Sequence, residues 1–111
     1  MRENKFYTQF DSVFFEKTRL SMLTILYNEG SVSFNRFKKL LGGTDGAIYS
    51  HIRKLINAGY IVQKKGIFQE KIQTNYSLTE KGRMIFREYL KFLSDMFEDG
   101  VMEQKADRKD R

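Results

Sequence analysis

The stretch from Thr44 to Arg83, TDGAIYSHIRKLINAGYIVQKKGIFQEKIQTNYSLTEKGR, constrains the fold more than any other part of the chain. It sets a helix, a basic hairpin and the capped start of a third element in immediate succession. Thr44 suits a helix N-cap, and Asp45 adds a carboxylate to the first turn, where the helix dipole favours negative charge. On a helical wheel Ile48, Ile52, Leu55 and Ile56 share one side, while Gly46, Tyr49, Ser50, Arg53 and Asn57 take the other, with Lys54 at its edge. Ala58-Gly59 ends that helix. YIVQKK and IQTNYSL, joined across GIFQE, then predict two antiparallel strands in which Ile72, Thr74, Tyr76 and Leu78 alternate against Gln73, Asn75 and Ser77.

Charge follows the same boundaries. Residues 33–75 hold eight bases (Arg36, Lys38, Lys39, Arg53, Lys54, Lys64, Lys65, Lys71) against Asp45 and Glu70, a net of +6, and the other twelve bases and twelve acids cancel. All the excess positive charge therefore sits on one helix-and-hairpin segment, a distribution suited to the phosphate density of double-stranded DNA.

With 111 residues there is room for one domain with its own core. Residues 1–11 read as an N-terminal extension, 12–98 as the folded domain and 99–111 as a flexible charged tail. Within the domain, Ser12 to Asn28 is a helix with Phe15, Leu20, Leu23, Leu26 and Tyr27 inward, and Glu29-Gly30 stops it. Ser31-Val32 is a short edge strand, and Ser33 caps a helix over Phe34–Leu41 that Gly42-Gly43 breaks. Thr79 caps a long helix reaching about Glu98. Its apolar stripes, Ile85, Tyr89, Phe92, Met96 and Phe86, Leu90, Leu93, Phe97, span an arc of about 160°, more than a lone small domain covers.

Several function classes are disfavoured. The chain has no Cys, and His51 is its single histidine, which leaves no metal cluster and no thiol chemistry. His51 falls at the margin of an apolar side and suits a packed, hydrogen-bonded role. No apolar run approaches a membrane span and MRENKFYTQF lacks a signal-peptide core, so a cytoplasmic location is expected. Without a phosphate-loop glycine pattern or a carboxylate pair on a rigid pocket, an enzyme is not expected, nor a cofactor.

The capped TDG turn, IYSHIRKLINAGYI, the basic hairpin, NYSLTEKGR and the long amphipathic helix resemble the compact winged-helix transcription regulators of the MarR/ArsR-like group, over roughly residues 12–97. SHIRKLINAGYI and YSLTEKGR are the most specific pieces. The resemblance implies an α+β, mainly α, winged helix-turn-helix fold in the order helix, strand, helix, helix, strand, wing, strand, helix, acting as a homodimer on an inverted-repeat operator. It assigns DNA contact to Thr44, Asp45, Gly46, Tyr49, Ser50, Arg53, Lys54 and Asn57 of the recognition helix. Lys64, Lys65, Gln69, Lys71 and Gln73 of the wing, with Arg36 and Lys38 of the preceding helix, would grip backbone or minor groove. Gly46 either tolerates a tight turn or lets the helix N-terminus approach a phosphate. Ile67-Phe68 at the hairpin tip either wedges into DNA or packs back on the hairpin, and packing back of Phe68 is the expected outcome. Ile85, Tyr89, Phe92, Leu93, Met96 and Phe97 are expected at the dimer interface. Phe14, Phe15, Tyr89, Phe92 and Phe97 invite a ligand pocket between the first and last helices, but aromatics at helical spacing more often form core or interface. The chain has little material for the long flanking helices of MarR proteins and no Cys/His cluster of the ArsR metal-sensing kind, so the resemblance implies DNA binding but no particular small-molecule effector. A repressor is the expected function. The competing reading is a winged helix used as a protein-interaction module in a larger complex, which has no need to concentrate bases on this helix and hairpin.

Overall fold

The computed structural model describes residues 10–109, with side chains as far as Glu98. Helix α1 spans Lys17–Glu29, β1 Ser31–Ser33, α2 Phe34–Leu41, α3 Asp45–Asn57, β2 Ile61–Phe68, β3 Lys71–Leu78 and α4 Glu80–Lys109. This is the expected winged helix, mainly helical, with an antiparallel sheet in the order β1-β3-β2. Ser33 and Thr44 cap α2 and α3 by accepting from the amides of Arg36 (3.0 Å) and Ala47 (3.1 Å), each satisfying a donor the helix leaves open. Gly42 and Gly43, at φ 72° and 84°, turn the chain between them, a backbone region that side chains disfavour. Gly46 is not part of that turn: it lies inside α3 with open space around it, which removes the tight-turn reading.

The core gathers Phe14, Met22, Leu23 and Leu26 below α1, Phe37 of α2, Ile48, Ile52 and Leu55 of α3, and Val32, Ile61, Tyr76 and Leu78 of the sheet. Val32 lies opposite Tyr76 in the β1–β3 ladder, so the short strand seals the inner half of the hairpin. Beyond Gln63 and Tyr76 both strands leave the core, and every β2 residue from Val62 onward is exposed. Ile72 accordingly does not continue the buried face of Tyr76 and Leu78: it is 77% exposed.

Four boundaries differ from the sequence expectation. Helix α1 starts at Lys17 rather than Ser12, because Asp11 organises the preceding residues as turns: its Oδ1 accepts from the Phe14 amide (2.8 Å) and its carbonyl from the Phe15 amide (2.9 Å). Glu16 then caps the helix by accepting from the Arg19 amide at 2.9 Å. The expected extension joins the fold at its end, since Phe10 is buried against Phe14, Tyr89 and Phe92; residues 1–9 lie outside the described residues. Helix α4 runs past Glu98 and through Gly100 to Lys109, since one glycine costs a helix interior only about 1 kcal/mol. The strands run on to Phe68 and restart at Lys71, leaving Gln69 (φ 51°) and Glu70 (φ 65°) as a two-residue loop. Paired positive φ is the type I′ hairpin geometry that Asn-Gly normally signals, so its sequence signature was missing here.

One junction fixes α3, the hairpin and α4 together. Gly59 turns at φ 83°, and its carbonyl accepts from the Thr79 hydroxyl, which in turn accepts from the Gly82 amide (3.0 Å) and so caps α4 as expected. The Thr79 amide donates to the Tyr60 carbonyl at 3.0 Å. Lys81 crosses over to donate to the Ala58 carbonyl (2.8 Å) and sits 5.1 Å from the centre of the Tyr60 ring. Gly82 lies so close that a Cβ there would stand 2.0 Å from the Tyr60 carbonyl oxygen. Gly82→Ala should therefore force α4 off the hairpin root and destabilise by about 3 kcal/mol or more, read as a fall of roughly 10 °C or more in the thermal midpoint. Gly46→Ala, on an open helical surface, should leave the midpoint level or raise it. Equal midpoints for Gly82→Ala and wild type would show that the close approach is not needed.

Candidate nucleic-acid interface

Helix α3 buries Ile48, Ile52 and Leu55 and leaves Gly46, Tyr49, Ser50, Arg53, Lys54 and Asn57 on its exposed side, the division expected from the wheel. Tyr49 is the anchored member of that surface. Its ring lies 5.3 Å from Phe34, and it neighbours the buried Tyr76 hydroxyl, whose ionisation is pushed up first by burial and then by Tyr49. Tyr49 nevertheless keeps 49% of its surface exposed, enough to offer an edge to a ligand.

The bases divide by their partners. Among the described residues no carboxylate is within ion-pair distance of Arg53, Lys54, Lys64, Lys65 or Lys71. Arg36 is committed instead: its fork meets Glu29 at 3.2 and 3.0 Å, a pairing that raises the Arg36 pKa and lowers that of Glu29. Lys38 is paired with Asp45 at 2.5 Å, so two expected contact residues hold each other beside the N-terminus of α3. In the wing, Lys64, Lys65 and Lys71 are exposed, Gln69 occupies the loop and Gln73 is half-buried opposite Gly66. Phe68 does not pack back on the hairpin. It is 63% exposed, because the projecting hairpin offers no second layer to receive it.

A buried guanidinium positions α3 from behind, and the sequence reading missed it. Arg19 donates to the carbonyls of Val13 (2.7 Å) and Ser12 (3.2 Å), and its Nη1 lies 2.9 Å from His51 Nδ1. His51 is thus the packed, hydrogen-bonded residue expected, and a neutral ring here accepts from Arg19. Only the Glu16/Arg19 spacing hinted at this network. On the far side, Tyr60 donates to Asp11 at 2.5 Å. Burial, then this bond, push the Tyr60 pKa well up. Burial opposes the Asp11 charge, but Tyr60 and the Phe14 amide hold its pKa below the usual value.

The expected dimer residues also separate. Ile85, Tyr89 and Phe92 pack on their own core, where Phe10 and Phe14 meet Tyr89 at ring separations of 5.6 Å. Phe14 and Tyr89, expected as candidates for a ligand pocket, are thus packed against each other and against Phe10. Leu93, Met96 and Phe97 remain 40%, 47% and 60% exposed, next to Leu90 at 40%. No described helix is long and apolar enough to cross a membrane, and among the described residues no three His, Asp or Glu gather as a metal site.

A family model described as a winged helix DNA-binding domain matches residues 18–97. An uncharacterised protein of Methanocaldococcus jannaschii is 32% identical over 78 residues, 70% of this chain and 85% of that one. A transcriptional regulator homologue from Pyrococcus horikoshii is 25% identical, with a TM-score of 0.69 over 80% of this chain and 87% of its own. S. aureus MepR, solved in a complex with DNA, shares the fold with a TM-score of 0.76 at 16% identity, covering 97% of this chain and 86% of that chain. The matched residues run from the first turn of α1 to the exposed apolar stripe of α4 and take in α3 and the whole wing, and the chain belongs to the winged-helix DNA-binding domain family.

Proposed function

We propose that this chain is a sequence-specific transcription regulator of the MarR/ArsR-like group that binds an inverted-repeat operator as a homodimer in the cytoplasm and represses by occlusion. The observation that carries the reading is the cluster of five exposed bases on α3 and the wing, Arg53, Lys54, Lys64, Lys65 and Lys71, none of them in an ion pair among the described residues. Arg53, flanked by Ser50 and Asn57, supplies a fork that matches two acceptors of guanine in the major groove. Thr44, Asp45 and Gly46 bring the α3 N-terminus to a phosphate, while Lys64, Lys65 and Lys71 hold backbone on either side of a minor groove. MepR supports this reading as a relative in fold that was captured on DNA. Occlusion needs nothing beyond a bound dimer, which is why repression is preferred.

Dimerisation is assigned to Leu90, Leu93, Met96 and Phe97, the stripe of α4 that its own core leaves in water. Sedimentation at micromolar concentration should give about 26 kDa, twice the 13.2 kDa of one chain. Leu93→Asp with Phe97→Asp should return a folded monomer. A wild-type monomer across that range would remove the dimer.

Binding should also be steeply salt-dependent, since the α3 helices and wings of a dimer present ten bases outside any ion pair, five from each chain. With six to ten phosphate contacts, affinity should fall by roughly 10³ to 10⁵ between 50 and 200 mM salt. Half-site centres should lie about 10 bp apart or a multiple of that. Arg53→Ala should cost about 1 to 3 kcal/mol and relax preference at one position per half-site. Lys65→Ala should weaken all duplexes alike and lower the salt slope. Titrating both variants against a selected site and a scrambled duplex decides the matter: an unchanged preference ratio for Arg53→Ala, with a changed one for Lys65→Ala, would reverse the two assignments.

A further inference from the structure

The wing ends in a patch that its own fold does not use. Ile67 and Ile72 are cross-strand partners, Phe68 pairs with Lys71, and the three apolar side chains are 81%, 77% and 63% exposed. Alternation along the strands puts Ile67 and Ile72 on the face that carries Tyr76 and Leu78, and Phe68 on the other, so the tip is apolar on both sides. The two-residue loop at Gln69 and Glu70 keeps it only two strands wide, about 5 Å between backbones. Solvent alone gives no reason for two branched aliphatics and a phenyl ring at an exposed hairpin tip, and an exposed apolar patch of this kind marks a contact surface.

Resting on the DNA-binding reading, we infer that Ile67, Phe68 and Ile72 form an apolar wedge that enters the minor groove beside the major-groove site and partly unstacks one base step. Charge selects this occupant. Lys64, Lys65 and Lys71 surround the tip, Glu70 is its single acid, and the unpaired bases of α3 belong to the same interface. The lysines hold the phosphates that line a groove about 6 Å wide, and the apolar side chains between them meet base edges rather than water. Pyrimidine–purine steps such as TA unstack most readily. The wedge therefore gives the protein a preference for such a step at a position where it makes no hydrogen bond to a base, separate from the preference set by Arg53.

The test uses the full chain and its selected duplex, with 2-aminopurine placed next to a TA step flanking the half-site. Wild type should raise the 2-aminopurine fluorescence and should lose roughly tenfold in affinity when the TA step is replaced by AA. Phe68→Ser and Ile67→Ser should each abolish most of the rise and weaken binding to the TA duplex about tenfold, with the salt slope unchanged because no charge is removed. Phe68→Leu keeps an apolar tip and should retain the signal, and the high exposure of these positions predicts unaltered thermal midpoints. Tight binding by wild type without a fluorescence rise, or full unstacking by Phe68→Ser, overturns the wedge and leaves DNA binding standing. Absence of binding to any duplex would remove the DNA reading itself. If the serine variants bind duplex normally but no longer bind vesicles containing anionic phospholipid, the tip serves a membrane surface and the inference is wrong.

Discussion

The missing side chain of Gly82 is the constraint on which the other placements depend. Helix α4 can begin against the Tyr60 carbonyl only because nothing projects from that position. From this contact the Thr79 hydroxyl reaches Gly59, and Lys81 reaches Ala58. The last turn of α3, the root of the wing and the first turn of α4 are therefore one node, with its backbone groups paired rather than left to water. A shift of α4, from whatever source, must be passed to the root of the wing or break these bonds.

A second support acts on α3 from behind. Burying the Arg19 guanidinium would be costly if its donors were unmatched, but two backbone carbonyls and a ring nitrogen receive them. The carbonyls belong to residues 12 and 13, so the segment before α1 is held by the same group that touches His51 in α3. Asp11 does the equivalent on the other flank through Tyr60, at the node just described. The irregular stretch from Phe10 to Glu16 thus braces α3 and the root of the wing from behind.

What was legible in the sequence was whatever depends on local periodicity and capping. The wheel of α3, the caps at Ser33, Thr44 and Thr79 and the charge concentration all follow from neighbours three or four residues apart, and the structure keeps them. Long-range packing was not legible. Phe10 enters the core because Phe14, Tyr89 and Phe92 leave a site for it, and Arg19 is buried because His51, thirty-two residues away, faces it. The stripe of Ile85, Tyr89 and Phe92 looked free for a second chain because a helical wheel does not show that residues before α1 fold back onto it. The wing turn was obscured for a different reason: Gln69 and Glu70 adopt backbone angles usually left to Asn and Gly, at a cost the cross-strand ladder offsets.

Pairing, rather than charge count, decides how the basic segment can meet a polyanion. Arg36 is tied to Glu29 and adds little to the field at α3. The Lys38–Asp45 pair has the opposite significance. Asp45 stabilises the first turn of α3 through the helix dipole, yet an unopposed carboxylate there would repel the phosphate that the same dipole attracts. Lys38 cancels that charge locally while the amides at the end of the helix stay directed outward, and Gly46 adds no side chain to obstruct an approaching oxygen. The two ends of α3 then differ in character: its N-terminus is nearly neutral and open, and its bases outside any ion pair, Arg53 and Lys54, stand further along the exposed face.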